Sequence, residues 1–305
     1  MKKVLIIENP ASGAKKAAET SEKLAEIFKQ KDIETTLYET EGKDDFQQLT
    51  YDALEDGVDT VALLGGDGTV SEFVSQISGL QNRPDILLLP LGTTNNFARA
   101  LQAELDVDDL LAKIENDEMT EKQTDVGKID DDYFISTLSA GSLPEIAWQT
   151  DDELKEVFGP FGYILEGITS INEDEEFDIH IQTETEDIAL DEITLIVIGL
   201  TNSVFGIPTF FEEGEVDDGR LQLYALKTSN LLSEAASLAH HIFPNRNNNQ
   251  NDNDELSYTT SFKKASIRSS KSLNLAVDGE KGPTFPIELD VLHNHLTFFV
   301  SLTDK

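Results

Sequence analysis

Through the first part of the chain, short apolar runs alternate with stretches whose apolar residues recur at helical spacing. Val4-Leu5-Ile6-Ile7, Thr35 to Glu39, Val61-Ala62-Leu63-Leu64 and Ile86 to Leu91 read as strands. Lys15 to Lys31, with Ala17, Leu24, Ile27 and Phe28 on one face, reads as a helix, as do Asp44 to Asp56, the stretch that follows the glycine cluster Gly65 to Gly68 through Ile77, Asn95 to Leu101 and Asp106 to Glu115. This alternation predicts an α/β domain over residues 1–126, a parallel sheet with flanking helices. After about Val126 strand-like runs dominate: Tyr133-Phe134-Ile135, Ile179-His180-Ile181, Ile193 to Leu200, Leu221 to Leu226, Leu273 to Val277 and Ile287 to Val300. Residues 127–305 therefore predict a β-rich second domain, its extreme C-terminus free to pack back on the first. Helical inserts at Asp151 to Ser170 and Leu231 to Phe243 interrupt it, and Asn245 to Asp254 reads as a surface loop.

Length and composition narrow the class. A chain of 305 residues suits two domains, and 39% hydrophobic with 27% charged residues is ordinary for a folded water-soluble protein. The longest apolar runs fall well short of the roughly 20 residues of a spanning helix, so no transmembrane segment is expected. The start, Met1-Lys2-Lys3 followed by apolar residues, stops at Glu8 before an export signal could form and is better read as a first strand. With no cysteine, disulfides, thiolate nucleophiles and cysteine-bound metals are excluded, and a cytoplasmic location fits. The 59 acidic against 23 basic residues give a formal charge of −36, which argues against nucleic acid as a partner and repels anionic lipid. A solvated acidic surface accounts for the charge without any specific partner.

Three polar turns follow strands. Leu64-Gly65-Gly66-Asp67-Gly68-Thr69-Val70 lies where a strand ends and a helix begins, the place where open α/β sheets bind ligands. Glycine lets the backbone approach an anion, and the N–H groups of the next helical turn point at it. A tight connection needing only flexible glycines explains most of the sequence equally well, but not an acid inside an anion cradle, unless Asp67 faces a cation or a hydroxyl. Asn9-Pro10-Ala11-Ser12-Gly13 and Pro90-Leu91-Gly92-Thr93-Thr94-Asn95-Asn96-Phe97-Ala98-Arg99 are the other two turns. Along one edge of a parallel sheet the three together make a nucleotide site. No Gly-x-x-x-x-Gly-Lys-Ser/Thr stretch is present, and no Gly-x-Gly-x-x-Gly follows the first strand.

Gly65 to Thr69 with Pro90 to Arg99 resembles the catalytic signature of the diacylglycerol kinase, sphingosine kinase and bacterial lipid kinase family, nearest to the soluble diacylglycerol kinases of Gram-positive bacteria. Asp125-Val126-Gly127-Lys128, Tyr133-Phe134-Ile135, Leu154 to Gly159, Asp217 to Leu221 and Asp278-Gly279-Glu280 match in family order. The resemblance implies a nucleotide domain and a β-rich acceptor domain with the active site in the cleft between them. It implies ATP held by Asn9, Pro10, Ser12, Gly13, Gly65, Gly66, Asp67, Gly68, Thr69, Gly92, Thr93, Thr94 and Asn95. Asp67, Asn96 and Asp125 match the Mg²⁺ network, Asp278 and Glu280 the catalytic pair, with Asp278 expected to be the base. Asp218, with the carbonyls of Glu215 and Arg220, matches a structural Mg²⁺ site, although turn chemistry alone would justify that stretch and Asp278-Gly279 alike. The expected activity is phosphorylation of a lipid hydroxyl, most simply that of diacylglycerol, by a cytoplasmic protein transiently at the membrane surface; a homodimer is left open.

The sequence departs from the family at Asn96, where relatives carry Asp, at Ser71, where Asn is frequent, and at Phe205 to Pro208, where a glycine-rich run is usual. Two other readings stay open at this point. One is a kinase of the same superfamily acting on a sphingoid lipid, a glycolipid or NAD; the other is a nucleotide-binding regulatory protein without turnover. His180, His240, His241, His293 and His295 show no ligand spacing and read as surface or structural residues. Ser12, Ser71 and Ser142 have no accompanying histidine motif, which argues against a hydrolase triad.

Overall fold

The computed structural model describes residues 1–10, 14–41, 45–141, 176–204, 207, 210–211, 214–229, 237, 241 and 256–301. Ser12, Gly13, the first helical insert, nearly all of the second and the Asn/Asp-rich loop lie outside them. The chain forms two compact units, residues 1–126 with 292–305, and residues 127–291.

In the first unit strands and helices alternate: β1 (Lys3–Glu8), α1 (Ala14–Gln30), β2 (Glu34–Glu39), α2 (Phe46–Glu55), β3 (Thr60–Gly65), α3 (Asp67–Ile77), β4 (Asp85–Pro90), α4 (Asn96–Ala100) and α5 (Val107–Glu115). The strands run parallel in the order β4-β3-β1-β2. β1 and β3 are apolar without alternation because helices cover both faces of the sheet. Val4, Ile6, Ala62, Leu64, Leu87 and Leu89 pack with Ala17, Leu24 and Phe28 of α1 and with Leu110 and Ile114 of α5. α2 meets α3 through an edge-to-face contact of Phe46 and Phe73, ring centroids 5.5 Å apart.

The strands that follow are β5 (Thr120–Ile129), β6 (Asp132–Phe134), β7 (Thr137–Gly141), β8 (Phe177–Thr183), β9 (Asp187–Gly199), β10 (Leu221–Lys227), β11 (Ser257–Phe262), β12 (Lys264–Ser269), β13 (Asn274–Val277), β14 (Glu280–Thr284) and β15 (Ile287–Val300). The chain passes from the first unit to the second within β5 and returns within β15. Past that point Phe298 and Phe299 of β15 lie parallel to Ile86 and Leu87 of β4.

The second unit is built on the 13-residue strand β9, which pairs antiparallel with β7, β8 and β10. β13 joins β7 and forms a hairpin with β14. Gly127 is dictated here by packing: a Cβ on it would lie 2.1 Å from the Phe134 ring. The α/β and β-rich character expected from the hydrophobic pattern is what the structure shows. Helix ends shift by a residue or two, because Asp45 and Asp106 stand outside α2 and α5 as N-caps, accepting from Gln48 N and from Asp108 N and Asp109 N.

Candidate active site

The turn from β3 into α3 is set by what its glycines allow. A Cβ on Gly65 would sit 2.5 Å from Cβ and Oγ1 of Thr69, so only glycine lets the strand end against the first helical turn. Asn9, at the end of β1, donates from its backbone N to Leu64 O at 3.1 Å and from Nδ2 to Thr69 Oγ1 at 2.7 Å, tying a second strand end to the same turn. The N-cap of α3 is Gly66, and no side chain caps the helix. The N–H groups of its first turn therefore remain available, at the positive end of the helix dipole. Gly68 stands out within that turn. It is exposed, and an added Cβ would meet nothing within 4 Å. Glycine costs about 1 kcal/mol in a helix relative to alanine, so neither packing nor propensity explains it. The open space beside it leaves room for a ligand to approach the backbone.

The turn after β4 abuts this one. A Cβ on Gly92 would be 2.6 Å from Gly66 Cα and 2.7 Å from Asn95 Oδ1. Asn95 takes the left-handed conformation, φ 51° and ψ 50°, which asparagine tolerates better than most residues. Its side chain accepts from Gly92 N at 3.0 Å and donates to Gly92 O at 2.9 Å. Asp67 closes the arrangement: Oδ2 accepts from Asn96 N at 3.0 Å and Oδ1 from Phe97 N at 3.1 Å. Arg99 Nε donates to Thr94 O at 2.8 Å.

Two side chains here have oxygens that would suit the Mg²⁺ implied by the family resemblance. Each Asp67 oxygen receives one N–H and keeps acceptor capacity, and Asn96 Oδ1 is buried with no hydrogen-bond partner. A buried carbonyl oxygen left without a donor points to a water or an ion. Among the described residues no three His, Cys, Asp or Glu side chains gather as a metal cage. One carboxylate and one amide carbonyl fit a Mg²⁺ that keeps several waters and completes its shell with phosphate oxygens. Asp125, expected in the same network, has other work. It is fully buried, and its Oδ1 accepts from Asn294 N at 2.7 Å and faces His293 Nδ1 at 2.9 Å.

In the second unit, Asp278 occupies the β13–β14 turn with φ 49°, followed by Gly279 at φ 89°. Its carboxylate takes three backbone donors: Oδ1 accepts from Ser136 N at 2.9 Å and Thr137 N at 2.8 Å, Oδ2 from Ile135 N at 2.9 Å. Asp278 N donates in turn to Thr137 O at 2.8 Å. Three N–H donors stabilise the anion and hold it against the turn. Glu280, at the start of β14, is exposed, and its carboxylate has no partner among the described residues. The Asp218 carboxylate accepts from Arg220 N at 2.8 Å and Glu215 N at 3.3 Å, which holds its own turn together.

Two of the histidines read as surface or structural residues hold structural contacts whose partners the sequence did not indicate. His293 ties the buried Asp125 into the start of the returning segment, and His295 Nε2–H donates to Ser78 O at 2.8 Å while Arg83 Nε donates to His295 O at 3.2 Å. Burial holds the His295 imidazole below its ordinary pKa, the neighbouring Arg83 charge adds to this, and the Ser78 bond partly opposes it. Neither role has a local sequence signal, because the partners lie 168 and 217 residues away.

A parallel α/β unit with uncapped, glycine-bearing turns at its strand ends, carried in one chain with a β-rich unit, is an architecture suited to holding an anionic ligand such as a nucleotide. Residues 3–129 match the diacylglycerol kinase catalytic domain. Diacylglycerol kinase of Staphylococcus saprophyticus is 30% identical over 298 residues, 98% of this chain and 95% of that protein. Diacylglycerol kinase of Staphylococcus aureus is 31% identical over 299 residues, 98% and 92% of the two chains. A crystal structure of a Bacillus anthracis diacylglycerol kinase shares the fold, with a TM-score of 0.76 at 24% identity, covering 98% of this chain and 96% of that one. The chain belongs to the diacylglycerol kinase family, and ATP is the co-substrate that a kinase family implies.

Proposed function

We propose that the protein transfers the γ-phosphoryl group of ATP to the free hydroxyl of diacylglycerol, giving phosphatidic acid at a membrane surface. Residues 1–126, with the returning residues 292–305, are the nucleotide-binding domain and residues 127–291 the acceptor domain. The ATP phosphates lie against Gly65 to Thr69, with Asn9 to Gly13 and Gly92 to Asn95 as the neighbouring turns. Open space at Gly68, within an uncapped helix start, carries this reading. The names of the relatives support the choice of acceptor.

Asp67 does two things: it fixes the start of α4 through Asn96 N and Phe97 N, and it keeps lone pairs for a hydrated cation. Mg²⁺ bound there with Asn96 Oδ1 would neutralise charge on the phosphate oxygens. Glu280 takes the proton of the acceptor hydroxyl as its oxygen bonds to phosphorus, a general-base contribution of about 10²–10⁴-fold. Asp278 shapes the hairpin that presents Glu280, holding Ile135 to Thr137 against the turn.

The test is incubation with labelled ATP, Mg²⁺ and detergent-dispersed diacylglycerol, sphingoid bases, glycolipids and NAD. Label is expected on diacylglycerol; label on NAD alone, or on no acceptor, overturns the proposal.

A further inference from the structure

Arg99 remains unexplained by the fold. It is exposed on α4 and forms no ion pair among the described residues, in a chain with 59 acids and 23 basic residues. Its Nε donates to Thr94 O at 2.8 Å, which fixes the plane of the guanidinium and leaves both Nη groups without a partner among the described residues.

The turn beneath it is accounted for group by group. Gly92 N–H and C=O pair with the Asn95 side chain, Thr94 C=O takes Arg99, and the N–H groups of Asn96 and Phe97 go to Asp67. The successive N–H groups of Thr93, Thr94 and Asn95 have no partner among the described residues. Consecutive uncommitted N–H donors ending in a left-handed residue suit an anion. A guanidinium held by Nε still presents two Nη groups in the fork that phosphate accepts.

We propose that Arg99 is a phosphate-contacting residue: its Nη groups and the N–H groups of Thr93 to Asn95 take up phosphoryl oxygens of the nucleotide. The proposal rests on the ATP reading above. Lysine would keep the charge but lose both the fork and the Thr94 tether.

Two measurements test it. In Arg99→Gln the dissociation constant for Mg-ATP should rise about 10-fold or more, the loss of a charge-assisted contact. Adenosine, which lacks phosphate, should bind as it does to the parent, and Arg99→Lys should fall between the two. On the unmodified protein, phenylglyoxal labelling read by mass spectrometry should show ATP, but not adenosine, protecting Arg99, with the exposed Arg268 labelled equally throughout. Mg-ATP affinity within twofold of the parent in Arg99→Gln, or labelling of Arg99 that bound ATP leaves unchanged, overturns the proposal while the kinase reading stands. Failure of the parent protein to bind ATP at all instead removes the reading on which it rests.

Discussion

Asp278→Asn and Glu280→Gln separate the two roles assigned to the β13–β14 hairpin. Asparagine tolerates the φ of 49° at position 278, so the backbone keeps its turn. Its amide oxygen can replace Oδ1 and retain Ser136 N and Thr137 N, but as a neutral acceptor. Its NH₂ group replaces Oδ2 and faces Ile135 N, donor against donor. An orphaned buried N–H costs about 1–3 kcal/mol, and bonds to a charged acceptor exceed neutral ones by about 0.5–1 kcal/mol each. The expected destabilisation is about 2–4 kcal/mol, which lowers the urea midpoint by about 1–2 M at a typical slope for such a domain. Glu280→Gln touches an exposed side chain and should leave the midpoint within about 0.5 kcal/mol of the parent, while turnover falls about 10²–10⁴-fold. The assay pairs urea melts followed by tryptophan-independent circular dichroism with initial rates at saturating ATP. An Asp278→Asn protein with the parental midpoint and a turnover loss equal to that of Glu280→Gln would refute the assignment and return the base to Asp278.

Gly68→Ala should leave stability unchanged or raise it by up to about 1 kcal/mol, yet weaken ATP binding, because only the ligand needs that space; Gly92→Ala should lower the melting temperature instead, since its Cβ would press on Gly66 at 2.6 Å. Burial, followed by repulsion from Glu121 and Asp59, holds the Asp85 carboxyl above the usual carboxylate range, so the fold disfavours its charged form. Asp85→Asn should therefore be more stable than the parent at neutral pH, an advantage that shrinks in melts as pH falls through the raised value. His295 behaves in the opposite sense: its folded pKa is depressed, so its contribution is present above the unfolded value of about 6.5 and lost as pH falls through the folded one. His295→Asn should remove that part of the acid slope in urea midpoints measured from pH 7.5 to 5. With a formal charge of −36, turnover on anionic vesicles should rise with added salt as the Debye length shrinks from about 10 Å at 0.1 M toward 3 Å at 1 M, the reverse of a protein steered by a basic patch.

Much of the architecture was legible because it depends on local periodicity. Val4 to Ile7 and Val61 to Leu64 read as doubly covered strands from their unbroken apolar runs, and both are fully or nearly fully buried in the sheet. The glycine turns were legible as turns, and Gly65 and Gly92 are fixed by contacts of 2.5 and 2.6 Å that a Cβ would make with Thr69 and Gly66. The partners of polar side chains were not. That Asn96 N and Phe97 N would be claimed by Asp67, 29 and 30 residues away, or that His293 would meet Asp125, follows from strand order and register rather than from neighbouring sequence.

The acids make the same point chemically. Asp67, Asp125, Asp218, Asp278 and Glu280 are indistinguishable as candidate site residues when read along the chain, because each stands at a turn or a junction. They separate once their donors are counted. Asp278 holds three backbone N–H groups, Asp218 is turned inward by Arg220 N and Glu215 N, and Asp125 is buried against His293 and Asn294. Each donor stabilises the anion and ties the side chain to the backbone that supplies it. Glu280, exposed and without a partner among the described residues, is the carboxylate to which the proposed mechanism assigns the acceptor proton. Asp67, with one donor on each oxygen and the unsatisfied Asn96 carbonyl beside it, retains the capacity that a hydrated cation and a phosphate chain require.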